Sequence, residues 1–155
     1  MRCAVIGLGN PLMGDDGAGI AVLDLLRDAS LPAGTALLDA GTPGPALLHL
    51  LDGLDAAVLV DAADFGGAPG EVRAFDPASV RRAGPPPPGL SLHEGDLLGV
   101  LDTAARLGSA PARVRICAIQ PARIAPEPAL SPAVQAALPA LAEAAREAVR
   151  QLTDP

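Results

Sequence analysis

The chain has 155 residues, enough for one domain around one core, and half of them are hydrophobic. Its formal net charge is −7, its 11 basic residues are all arginine and scattered, and its only aromatics are Phe65 and Phe75. A nucleic-acid surface needs a basic face and stacking rings, and neither is offered here. No apolar run approaches the roughly 20 residues of a membrane span, and Met1-Arg2 leads into a strand without signal-peptide features. The expectation is a cytoplasmic protein with no nucleic-acid or membrane partner. Cys3 and Cys117, far apart in apolar runs, read as buried reduced thiols.

Alternating strand-like and helix-like segments place the chain in the α/β class. Residues 2–6 (RCAVI) read as a buried strand, followed by a helix from about Asp16-Gly17 with Ile20, Val22, Leu23, Leu25 and Leu26 on an apolar face. Residues 35–39 (TALLD) form a second strand, then the loop AGTPG. Residues 45–54 (PALLHLLDGL) form a short helix with Pro45 in its first turn. His49 lies on the polar side of that helix, beside Pro45, Ala46, Asp52 and Gly53. Residues 56–61 (AAVLVD) are apolar up to the final aspartate, as in a central parallel strand covered on both faces.

Residues 70–75 (GEVRAF) follow too closely for a crossover helix, which predicts an antiparallel neighbour. The stretch 83–90 (AGPPPPGL) is a stiff extended loop. A helix follows over about 92–107, with Ser91 and Glu94 spaced as a capping box. Residues 112–119 (ARVRICAI) are the last strand. Ser131-Pro132 opens a final helix that Pro139 should kink or restart. The expected fold is one domain over residues 1–155. It is a three-layer sandwich of a mixed, mostly parallel twisted sheet of about five strands, with helices on both faces.

The chemistry concentrates in GLGNPLMGDDGAG, residues 7–19. A dinucleotide fingerprint would need a third glycine where Leu12 stands, and Asp15 and Asp16 would repel a pyrophosphate. No nucleotide cofactor is therefore expected. Ser-His-Asp, Cys-His, nucleophile-elbow and HExxH patterns are absent. Asp16 lies just past strand one and Asp61 closes the central strand, so both belong to the carboxyl rim where α/β sheets bind ligands. His93 can join them if its helix starts on the same side. Two carboxylates and an imidazole suit Ni²⁺, Zn²⁺ or a similar ion. Either Asp15 or Asp16 could instead cap the first helix. Asp64, in DFG, reads as a loop residue.

The opening GLGNP resembles that of peptidyl-tRNA hydrolases, but the resemblance ends there, because no histidine follows. The longer pattern resembles the [NiFe]-hydrogenase maturation endopeptidases. It runs through GLGNPLMGDDGAG, LLDAGTPG (37–44), VLVDAADFG (58–66), SLHEGDLLGVL (91–101) and AIQPARIAPEPALSP (118–132). This resemblance implies metal-contacting roles for Asp16, Asp61 and His93, leaving Asp15 as the cap, and a substrate-binding role for Asp39, Gly41 and Thr42. It further implies an endopeptidase that removes the C-terminal extension of a hydrogenase large subunit, with nickel carried by that substrate. A non-catalytic, nickel-dependent checkpoint for the same subunit is the alternative. Peptidyl-tRNA hydrolysis is a distant third.

Overall fold

The computed structural model describes residues 1–82 and 96–155. In chain order they form β1 (Cys3–Gly7), α1 (Ala18–Arg27), β2 (Thr35–Asp39), α2 (Pro45–Leu51), β3 (Ala56–Ala62), β4 (Val72–Phe75), α3 (Pro77–Arg82), α4 (Asp96–Leu107), β5 (Arg113–Ile119) and α5 (Pro132–Thr153). The sheet order is β2-β1-β3-β5-β4. All pairs are parallel except β4 with β5. The five-stranded mixed sheet and its antiparallel edge match the expectation from sequence.

Period-two alternation along the strands divides the core into two layers. Cys3, Val5, Val58, Val60 and Cys117 face α1 and α5. Ala4, Ile6, Ala57, Leu59 and Ile116 face α2 and α4. β3 is buried along its whole length, as its unbroken apolar run requires. Both thiols are free and buried. Among the described residues, no helix is long and apolar enough to cross a membrane.

Four local expectations change. Helix α1 has no side-chain cap, because its entry is taken by a 3₁₀ turn over Gly14–Gly17 and Asp15 points elsewhere. Helix α2 ends at Leu51 rather than residue 54, where Gly53 adopts φ +76° and reverses the chain. Strand β4 starts at Val72, because a turn at Gly70 and Glu71 takes up the first two expected residues. Helix α5 runs unbroken through Pro139. The buried Leu138, Leu141 and Ala142 hold both sides of the proline against the sheet and outweigh one lost backbone hydrogen bond. His49 is exposed, as its helix position predicts. The Ser91–Glu94 capping box, the proline-rich loop and His93 lie outside the described residues.

The order of the strands creates a switch point. From β1 the chain turns through α1 to β2 on one side, whereas β3 connects toward β4 and β5 on the other. The loops leaving β1 and β3 therefore diverge at adjacent strand ends, which opens a crevice at the carboxyl rim.

Candidate active site

Asp16 and Asp61 meet in that crevice. They line one cavity of about 180 Å³, with Gly9, Asn10 and Met13 from the first loop, Thr42 and Pro43 from the β2–α2 loop, and Ile124 from the loop after β5. Asp61 arrives from the strand. It lies one residue beyond Val60, the last partner of β1, on the same face as Ala57 and Leu59. It is only 1% exposed.

Asp16 arrives from the 3₁₀ turn. Successive side chains there step by about 120°, so adjacent aspartates leave on different sides. The Asp16 carboxylate accepts from the Asn10 backbone N–H at 2.8 Å and lines the cavity. Asp15 turns away and accepts four hydrogen bonds. Ala122 and Arg123 donate backbone N–H at 2.8 and 2.9 Å, Ser131 its N–H at 2.6 Å, and the Ser131 hydroxyl at 2.8 Å. Burial alone would raise the Asp15 pKa, but these donors together hold it below its ordinary value. Asp15 is thus a clamp between the first loop and the start of α5, not a helix cap.

The glycines serve packing. A methyl at Gly9, whose φ is +126°, would overlap the Asp16 carbonyl, and one at Gly19 would overlap the carbonyls of Leu8 and Val60. The pattern that resembles a phosphate loop is what lets the Asp16 turn lie tightly on the sheet end.

The electrostatics favour a positive charge. Neither Asp61 oxygen has a hydrogen-bond partner among the described residues. Burial first, and then the neighbouring Asp16 charge, push its pKa up to about 8; the Ala62 amide opposes this weakly from outside hydrogen-bond geometry. At neutral pH Asp61 therefore keeps its proton, and a cation could take that place. Two carboxylates are oxygen donors that suit a divalent cation. Among the described residues no third His, Cys, Asp or Glu completes a metal cluster.

The β2–α2 loop is tied to the first loop by Gly9 N–H to the Gly41 carbonyl at 2.8 Å and Ala40 N–H to the Gly7 carbonyl at 3.0 Å. Thr42 reaches the cavity and Gly41 anchors the loop. Asp39 does not join them. It is exposed, accepts from the Gly41 N–H at 2.9 Å, and lines a separate groove of about 270 Å³ beside α1.

Gln120 was not singled out by sequence reasoning, although a polar residue directly after four buried strand positions is a signal. It is 7% exposed. Its carbonyl accepts from Phe65 and Gly67 N–H, and its amide donates to Asp64, which fixes the loop leaving β3. Asn10, Met13 and Ile124 line the cavity without any distinctive spacing that would mark them in advance.

Comparison with known proteins places the chain among relatives of one family and fold. Residues 20–148 match the family described as hydrogenase maturation protease. The hydrogenase expression/formation protein HupD of Rhodobacter capsulatus is 35% identical over 132 residues, which cover 79% of this chain and 59% of that protein. The chain thus spans about three-fifths of the length of such relatives. Among solved structures, the hydrogenase maturating endopeptidase HybD of E. coli superposes with a TM-score of 0.82 at 28% identity, covering 99% of this chain and 94% of that one. A hydrogenase 2 maturation peptidase from Thaumarchaeota archaeon SCGC_AB-539-E09 gives 0.70 at 32% identity, covering 96% and 98%. The family match leaves out Asp16, but the structural likeness includes nearly the whole chain. On these grounds the chain belongs to the hydrogenase maturation protease family.

Proposed function

We propose that this protein is an endopeptidase that removes the C-terminal extension of a [NiFe]-hydrogenase large subunit after nickel insertion. The observation that carries this reading is the pair of buried carboxylates at the switch point, with Asp61 lacking any donor among the described residues. Such a pair is costly unless a positive charge arrives. Nickel held by the substrate would supply that charge, with Asp16, Asp61 and His93 as the groups that face it. Thr42 and the 39–44 loop then hold the polypeptide beside the bond to be cut, with Asp39 and Gly41 shaping that loop. Nickel on the substrate also gives selectivity, since chains without the ion leave Asp61 without a partner among the described residues.

The test is mass spectrometry of a purified large-subunit precursor, nickel-loaded or nickel-free, after incubation with chelator-treated protein. Loss of the C-terminal segment only from the loaded precursor is expected. Equal cleavage of both would overturn the role of nickel. Nickel-dependent binding without cleavage would instead identify a checkpoint.

A further inference from the structure

We infer that Ile124 is a substrate-contact residue, its side chain forming an apolar contact to the precursor chain beside the bond that is cut, on a loop that Asp15 holds in place. This rests on the endopeptidase reading above. A single exposed apolar residue ordinarily means little. Ile124 differs in two ways. It is 41% exposed and at the same time forms part of the wall of the cavity that holds Asp16 and Asp61. Met1, Leu25 and Leu107, also exposed, do not line that cavity.

The loop is also rigidly held. Gly14 N–H donates to the Glu127 carbonyl at 2.7 Å, and Asp15 N–H donates to the Arg123 carbonyl at 3.0 Å. The Asp15 carboxylate accepts from Ala122, Arg123 and Ser131. The backbone on both sides of Ile124 is therefore tied to the first loop. An apolar group pre-organised beside a reactive centre binds a partner chain without a new ordering cost. The matching substrate group is an apolar side chain near the cleaved bond. Met13 and Pro43, also in the cavity wall, extend the apolar surface that such a group would meet.

The test compares the intact wild-type chain with Ile124→Ala, Ile124→Leu and, as a remote exposed control, Leu107→Ala. Leu107 ends α4, which feeds the start of β5, so it lies at the opposite rim. Processing of nickel-loaded precursor is followed by mass at several precursor concentrations, and binding of the same precursor is measured separately by calorimetry. Ile124→Ala should raise KM and Kd about tenfold with kcat nearly unchanged, the pattern of lost uniform binding. Ile124→Leu should restore most of the loss, Leu107→Ala should match wild type, and thermal midpoints should not move. Ile124→Ala with wild-type KM and Kd would overturn the inference while leaving the endopeptidase reading intact. Binding without cleavage by wild type would end the endopeptidase reading, and the Kd comparison would still decide the contact. No binding by wild type would overturn both.

Discussion

Replacing Asp61 by asparagine should end processing and, at neutral pH, make the protein more stable. The carboxyl group is 1% exposed, and its pKa moves from 3.8 to about 8 on folding. A raised folded pKa means that between these values the native state binds more protons than the unfolded chain, so stability falls as pH rises. At pH 7 the native state must retain a proton that the unfolded chain has released roughly three pH units earlier. At about 1.4 kcal/mol per unit, that costs on the order of 4 kcal/mol. This is a large fraction of the roughly 5–15 kcal/mol of a typical domain. Asparagine has nearly the same shape and no charge to suppress. The assay is urea unfolding in metal-free buffer, followed by far-UV circular dichroism because the chain has no Trp or Tyr. The two proteins should have similar stability near about pH 4, and the variant should gain progressively up to about pH 8. Comparing the two cancels the titration of carboxylates that do not interact with Asp61. Parallel stability curves across this range would refute the electrostatic account, and normal processing by Asp61→Asn would remove the residue from the site.

Asp15→Ala should destabilise by about 1–3 kcal/mol in the same unfolding assay, because it removes the acceptor shared by the part-buried donors of Ala122, Arg123 and Ser131. A loss below about 1 kcal/mol would contradict the clamp. Since the Asp15 pKa is lowered on folding, its contribution is present above 3.8 and is lost as pH falls through the folded value. Gly19→Ala should fail to yield folded protein by circular dichroism, because the added methyl meets two backbone carbonyls that cannot retreat. In the native protein neither thiol should react with a disulfide reagent, and both should react in denaturant. Burial raises both, Cys117 to about 12.

The α/β class, the antiparallel edge strand and the rim position of Asp16 and Asp61 were legible in the sequence because they follow from local pattern. An unbroken apolar run of this length reads as a central parallel strand, and an aspartate that ends such a strand lies at the rim. The pairing of neighbouring carboxylates also carried a signal, because the glycines around them mark a tight turn. What each aspartate does was not legible. Asp15 and Asp16 are chemically the same and adjacent, and both fit a helix cap from sequence. Only the fold separates them, since Asp15 meets donors more than 100 residues away whereas Asp16 meets the Asn10 backbone N–H and the cavity it shares with Asp61. The same holds for Gln120, whose partners come from the loop after β3, and for Asp39, which the turn at Gly41 directs toward a different groove. Periodicity reports which face of an element is buried. The identity of a side chain's partner depends on contacts between distant segments, and those exist only once the chain has closed.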